Sequence, residues 1–385
     1  MLPLSGIRVI ELGAVVLGPY AAQWLGDLGA EVIKVEAPTG DSTRRTGPTA
    51  EFGMASLFLG LNRNKRSIVL DLKTKAGKEA LLRLVDTADV LLHNNRPHKM
   101  KALGLDSETL IARNPRLIYA CLHGFAENGP YGGRPAYDDV IQGMCGLADL
   151  MGQQTGTPRY LPTVAADKTS GLVGAIGILG LLVRRERTGL GGYVEVPMFE
   201  TMVAFTAVEH LYGLSFDPPL GQGAYPRVMV AERGPFTTKD GHICVMPYTD
   251  KHWQDMFKEC GRPDLAAEPR FQGITSRTQY ITEIYGELAH QLTSRTTAEW
   301  LSTLLRLEIP CAPVQSIDDL VTDPHLEQTD FFAILDNETG PGKTRYAGVP
   351  ILFDGNRPPI ARPPRLGEHT EEILTSLLFE NAKIE

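Results

Sequence analysis

The stretch from Ile7 to Glu36 constrains the fold more than any other. "IRVIEL" is an apolar run of strand length, "GPYAAQWLGDLGA" has helical character with Pro19 near its first turn and Gly29 near its end, and "EVIKVE" is a second strand. Strand, helix and strand in this order form a β-α-β unit, which implies a parallel pair with a right-handed crossover. The alternation continues with a helix near Lys75 to Thr87, a strand "DVLLHN", a helix near Ser107 to Arg113 and a strand "RLIYACL". After the glycine-spaced helix "AADKTSGLVGAIGILGLLVRRERTG" come the strand "GGYVEVPM" and a helix from about Phe199 to Tyr212. The pattern predicts an α/β fold built on a Rossmann-like, doubly wound parallel sheet.

Past Tyr212 the character changes. Residues 215–233 are rich in Pro and Gly without a clear period and read as a linker or mobile loop. Residues 234–323 carry a hairpin signal turning at Asp240-Gly241 and amphipathic helices around Trp253 to Cys260, Ile281 to Leu292 and Ala298 to Leu305, so they predict a smaller α+β domain. The expected organisation is a large domain over 1–214, the linker 215–233, the small domain 234–323 and a segment 324–385 that returns to the large domain. A chain of 385 residues is long enough for two such cores.

Composition and motifs exclude several functions. A net charge of −8 argues against a general nucleic-acid binder. The five cysteines, Cys121, Cys145, Cys244, Cys260 and Cys311, are scattered and never spaced C-x-x-C, which favours free thiols in a reducing compartment. No His, Cys or carboxylate cluster has metal-ligand spacing, so no metal is expected. The start "MLPLSGIRVIEL" lacks the pattern of a signal peptide, and the apolar run Leu172 to Val183 is short for a bilayer; a soluble, cytoplasmic protein without a membrane partner is the expectation. The loop after the first strand reads "GAVVLGP" rather than G-x-G-x-x-G, with two valines where a pyrophosphate needs close backbone approach, so a dinucleotide site is disfavoured. An acyl hydrolase is disfavoured too, because no G-x-S-x-G occurs.

Three features remain. Arg63, Lys65, Arg66, Lys73, Lys75 and Lys78, followed by Arg96, Lys99 and Lys101, form either a solvated face or a grip on phosphates near strand ends. In the Gly-rich loop, Arg227 and Arg233 are either ordinary surface-loop arginines or a partner for a second carboxylate on a dicarboxylic acid. Asp167 has two readings. It could cap its helix, worth about 1 kcal/mol over Ala, or the helix start could present it as an ionised carboxylate nucleophile. Gly171, Gly174, Gly177 and Gly180 each give up about 1 kcal/mol of helix preference relative to Ala, so something must approach that helix closely.

Taken together, "PLSGIRVIEL…GPYAAQWLGDLGAEVIKVE", "LNRNKRSIVLDLKTKAGKEAL", "NPRLIYACLHGFAENGPY", "ADKTSG" and "RTGLGGYVEV" resemble the class III CoA-transferases, the formyl-CoA and carnitine CoA-transferase type of the CaiB/BaiF family. The likeness runs in register from Pro3 to about Leu214 and more loosely to the C-terminus. It implies a CoA-transferase that moves coenzyme A from an acyl-CoA donor to a small carboxylic acid, with Asp167 as the catalytic aspartate and an aspartyl-CoA thioester intermediate. By position it implies CoA contacts at Val15, Val16 and Leu17, at Leu70 and Lys73, at Asn94 and Asn95, at Lys99 and Lys101, and at Tyr137 and Asp138. It further implies an interlocked homodimer, and Gly221 to Gly234 are candidates for a lid. The chain departs from the family pattern in "NNRPH", which lacks an aromatic, and in Ala37, where a basic residue is common. Family epimerases of the methylacyl-CoA racemase type use a histidine where this chain has Tyr137; a phenol that ordinarily titrates near pH 10 suits two-base exchange poorly, so the transferase is favoured over the epimerase. The non-enzyme alternative is a CoA-binding protein without chemistry.

Overall fold

The computed structural model describes residues 1–381, so residues 382–385 of the expected C-terminal segment lie outside the described residues. Contacts divide the chain into two units. The first takes Met1–Cys145, Tyr160–Phe205 and the chain from Pro324 onward; the second takes Gly146–Arg159 and Thr206–Asp323.

In chain order the elements are β1 (Arg8–Leu12), α1 (Leu17–Asp27), β2 (Glu31–Glu36), α2 (Ser56–Leu61), β3 (Lys65–Val69), α3 (Lys75–Asp86), β4 (Val90–His93), α4 (Pro97–Leu103), α5 (Ser107–Arg113), β5 (Ile118–His123), α6 (Asp138–Met144), α7 (Leu147–Thr155), α8 (Ala165–Thr188), β6 (Gly192–Pro197) and α9 (Met198–His210). The six strands form one parallel sheet in the order β3-β2-β1-β4-β5-β6. The order reverses between β1 and β4. In such sheets ligands bind at the carboxyl ends of the strands beside this switch point. Strands buried on both faces explain the near-continuous apolar runs of the sequence. One face carries Ile10, Ile33, Ile68, Leu91 and Tyr119 against Leu81, Leu84 and Val85 of α3 and against Ile373 and Leu377 of the terminal helix Thr370–Asn381. That terminal segment is pinned to the edge strand β3: the His369 N–H donates to Ser67 O at 2.9 Å, and the Ser67 N–H donates to His369 Nδ1 at 3.2 Å.

The second unit continues with α10 (Pro226–Met229), β7 (Phe236–Thr237), β8 (His242–Val245), α11 (Asp250–Glu259), α12 (Pro263–Ala267), α13 (Ile274–Gln279), α14 (Ile281–Leu292), α15 (Thr297–Arg306), β9 (Cys311–Pro313) and α16 (Ile317–Leu320). Its antiparallel sheet has the order β7-β8-β9, over a core that includes Trp253, Phe257, Phe271, Leu288 and Trp300. The division differs from the sequence expectation at 146–159, which leave the large domain for this unit, and at 206–233, which join this unit instead of ending the large domain and forming a linker. The physical reason is a set of turn bonds that tie the aperiodic stretch to itself and to the end of α9. The Gly213 N–H donates to Gln222 O at 3.2 Å and the Ala224 N–H to His210 O at 2.8 Å. From α7, Gln154 Nε2 donates to Arg233 O at 3.3 Å.

Candidate active site

A helix that joins parallel strands runs against them and therefore starts at the carboxyl edge of the sheet. Both α1, between β1 and β2, and α8, ahead of β6, are such helices, so they run parallel with their N-termini at the same edge. The glycines of α8 set how closely it packs. A Cβ on Gly171 would lie 3.1 Å from Leu17 O and 3.2 Å from the Tyr20 ring in the first turns of α1. On Gly174 it would lie 2.6 Å from Leu122 of β5, and on Gly177 it would lie 3.0 Å from Val194 of β6. Gly180 is different, since apart from the backbone of its own helix nothing described lies within 4 Å of that position. The whole helix has 24 residues, longer than the apolar run Leu172 to Val183, and by length and composition alone it would suffice to cross a membrane. In this chain one face is buried on α1 and the sheet instead.

Asp167 is the third residue of α8 and does not occupy the cap position, which falls on Val164. The cap comes from 29 residues earlier: Asp138 Oδ1 accepts the N–H groups of Ala166 at 2.7 Å and of Asp167 at 3.2 Å. Asp138 Oδ2 accepts from Gln142 Nε2 at 2.6 Å, and Gln142 Nε2 also donates to Thr163 O at 3.1 Å. With the orphan donors satisfied from outside, the Asp167 carboxylate accepts no hydrogen bond among the described residues. The capping reading of Asp167 is thus corrected: a carboxylate caps α8, and it belongs to Asp138. The expectation of a permanently ionised Asp167 is corrected as well. At 9 % exposed, burial chiefly and the Asp138 charge secondarily push its carboxyl up to about 7.

Beside it, the loop between β1 and α1 holds an unusual backbone. Val15 has φ 67°, the left-handed region, which costs a β-branched residue about 1–3 kcal/mol. Asn94, at the end of β4, grips the preceding residue on both sides: its Oδ1 accepts the Ala14 N–H at 2.9 Å and its Nδ2 donates to Ala14 O at 2.8 Å. Asn95 Nδ2 donates to Leu12 O at 3.0 Å. The first intrahelical bond of α1 is Tyr20 N–H to Val16 O at 2.8 Å, and Pro19 has no N–H. The N–H groups of Val16, Leu17 and Gly18 therefore have no partner among the described residues. Donors so arranged can stabilise an oxyanion.

The other expected residues are distributed as follows. Val16, Leu17 and Leu70 are buried, so any ligand contact there runs through backbone. Lys73, and Lys99 and Lys101 on α4, are exposed, as is Tyr137 at 72 %. Three members of the basic cluster are engaged by carboxylates within the fold. Arg63 pairs with Asp27 at 2.6 Å, Arg66 with Glu31 and with Glu372 at 2.8 Å, and Lys65 is buried against Glu11 at 2.8 Å. In the second unit, Arg227 is buried near the Tyr248 ring, and Arg233 lines a cavity of about 680 Å³ with Phe236, Val245, Met246 and Tyr285. The sequence reading missed Glu11, Lys34 and Asp41, which support the Val15 loop from below. The available signal was a charge at the centre of each of two apolar strands, "VIEL" and "VIKVE".

A family model described as CoA-transferase family III matches residues 4–370. The chain belongs to CoA-transferase family III. Among relatives, the "Probable fatty acyl-CoA transferase Rv3272" of Mycobacterium tuberculosis is 36 % identical over 97 % of both chains. The "Succinyl-CoA:mesaconate CoA-transferase" of Haloarcula marismortui is 34 % identical over 96 % of this chain and 95 % of its own. The crystal structure of a CAIB/BAIF family protein from Brucella suis superposes with a TM-score of 0.82 at 31 % identity, covering 98 % of this chain and 99 % of that one. As a family III CoA-transferase the chain is a transferase, and CoA thioesters are the substrates of its family. Its mixed α/β architecture with a parallel six-stranded sheet is shared with the solved class III structures.

Proposed function

We propose that this CoA-transferase moves CoA between two carboxylic acids through covalent intermediates on Asp167. The observation that carries the reading is the division of labour at the start of α8. One carboxylate, Asp138, is spent on backbone N–H groups, which leaves the other without hydrogen bonds and half-ionised near neutral pH.

In this scheme the Asp167 carboxylate attacks the donor thioester carbonyl, and the C–S bond breaks to give an aspartyl–acyl anhydride and CoA thiolate. The thiolate attacks the aspartyl carbonyl, which releases the donor acid as carboxylate and leaves an aspartyl-CoA thioester. The acceptor carboxylate then attacks that thioester, forming a second anhydride and freeing the thiolate again. Attack of the thiolate on the acceptor acyl carbon completes the product thioester and regenerates Asp167. Each tetrahedral step develops an oxyanion, for which the open N–H groups of α1 are suited donors. Burial of Asp167 keeps competing water low, as an activated acyl group requires.

Trapping tests the scheme. Hydroxylamine added during turnover should convert Asp167 to a hydroxamate, and borohydride should reduce the thioester to an alcohol. Both should be visible by peptide mass spectrometry and should depend on the CoA donor. Turnover inhibited by hydroxylamine with Asp167 unmodified would favour direct attack of acceptor on donor. The reading includes the interlocked homodimer. Val173, Ile176 and Val183 form an exposed apolar strip on α8 beside the open Gly180, and Val203 and Phe205 are exposed on α9, which supports cover by a second copy. Light scattering in solution checks it.

A further inference from the structure

Six ionisable side chains are buried around the β1–α1 loop: Glu11, Lys34, Glu36, Asp41, Arg44 and Lys65, none more than 5 % exposed. Three are acids and three are bases, so their charges sum to zero. Lys34 Nζ reaches Glu11 Oε1 at 3.0 Å and Asp41 Oδ2 at 3.1 Å; Lys65 Nζ reaches Glu11 Oε2 at 2.8 Å; Arg44 Nη2 reaches Glu36 Oε1 at 2.6 Å. Buried ion pairs contribute little net stability compared with apolar packing of the same volume. What the cluster holds is more telling than what it stabilises. Lys34 Nζ donates to Gly13 O at 2.9 Å, Lys65 Nζ donates to Pro19 O at 2.8 Å, and Asp41 Oδ1 lies 3.4 Å from the Val15 nitrogen as acceptor. Asn94 clamps Ala14 from the opposite side of the switch point. Strain at one residue persists only where its surroundings over-determine it, and Val15 is held from both sides.

We propose that Asp41 and Asn94 are positioning residues of the reaction, holding Val15 in its left-handed conformation so that the N–H groups of Val16, Leu17 and Gly18 stand together beside the start of α8. The inference rests on the CoA-transfer reading above for its chemistry, but the loop geometry is independent of it. Glycine populates positive φ about as readily as negative φ, so a glycine at position 15 makes the hold largely unnecessary. That gives the proposal a genetic signature that a general loss of stability does not have.

The experiment is a double-mutant cycle read by kinetics and by amide hydrogen exchange. Asn94→Ala removes both bonds to Ala14 and leaves no buried charge unpaired, so the protein is expected to fold. Its kcat should fall about tenfold with the KM for acyl-CoA nearly unchanged, because oxyanion donors act in the transition state. Adding Val15→Gly should recover about threefold of that loss. Asp41→Asn, the second variant, should show the same rescue, and both single variants should exchange the amides of residues 13–18 faster than wild type. An Asn94→Ala enzyme with kcat within about twofold of wild type overturns the proposal, as does a loss carried by KM alone, which marks direct CoA contact. A double variant no better than Asn94→Ala also overturns it. If the wild type itself transfers CoA between no pair of acids, the transfer reading fails, and the exchange rates still decide whether these residues hold the loop.

Discussion

Asp138 caps the helix that carries Asp167, and in doing so it places a second negative charge against the carboxylate it serves. The same contact orders the helix start and raises the proton affinity of the neighbour. Activity should therefore depend on the Asp167 proton. The acid limb of the rate profile is expected near pH 7, with kcat/KM falling about tenfold per pH unit below it. Asp138→Asn keeps an acceptor for the two N–H groups but removes the charge, so the limb should move to lower pH. Burial is the larger cause of the shift, so the move should be partial. An acid limb unchanged in Asp138→Asn would show that the two carboxylates do not interact.

Asp167→Ala and Asp167→Asn should both be folded and inactive in CoA transfer, since Asp138 supplies the cap in either variant. Near-wild-type turnover in either would locate the nucleophile elsewhere.

The same residue makes a stability prediction with a definite sign. Its folded pKa, about 7, lies above the ordinary value of 3.8, so the folded state binds more protons between those pH values. The stabilising contribution is complete below about pH 4 and is lost as pH rises through 7. Above pH 7 the ionised carboxylate should cost on the order of 2–4 kcal/mol. Asp167→Asn should therefore raise Tm relative to wild type at pH 8 more than at pH 4. Calorimetry at the two pH values checks this.

Gly171→Ala should push α8 a few tenths of an ångström away from α1, because the new methyl would meet the Leu17 carbonyl at 3.1 Å. A loss of about 1–3 kcal/mol is expected, together with lower turnover. Gly180→Ala gains about 1 kcal/mol of helix preference within one chain, but with the proposed second copy covering that face the new methyl should cost stability in the dimer. A net gain at Gly180 would instead mark that face as open to solvent and count against the second copy. Urea unfolding of both variants separates the cases.

Epimerase chemistry should be negligible. A 2-methylacyl-CoA incubated with the enzyme in deuterated water should exchange no α-proton, since Tyr137 stands exposed where a histidine base would be needed. Exchange at the turnover rate would transfer the chain to the epimerase branch.

Much of this arrangement was legible in the chain. The apolar runs gave five of the six strands of the parallel sheet, β3 being masked by its basic residues, and the glycine spacing of α8 announced a close approach that Leu17, Leu122 and Val194 make. Other parts were hidden because their partners are far apart in sequence. Nothing local marks Asp138 as the cap of a helix that begins 27 residues later. Lys65 and Arg63 sit in a basic run that looks solvated or anion-binding, and only the fold brings Glu11 and Asp27 against them. The unit boundary at 206 was missed because turn bonds, which carry no period, hold the Pro- and Gly-rich stretch together.

The balance of charge around the β1–α1 loop also limits how such a sequence can vary. Changing any one of Glu11, Lys34, Glu36, Asp41, Arg44 or Lys65 to a neutral residue leaves an odd charge in the interior, where it is costly. A lineage could therefore leave this arrangement only by exchanging an acid and a base together, or by passing through an intermediate weaker than either end. The floor beneath the reaction is thus constrained as a set of coupled charges, whose members can change at low cost only in balanced pairs.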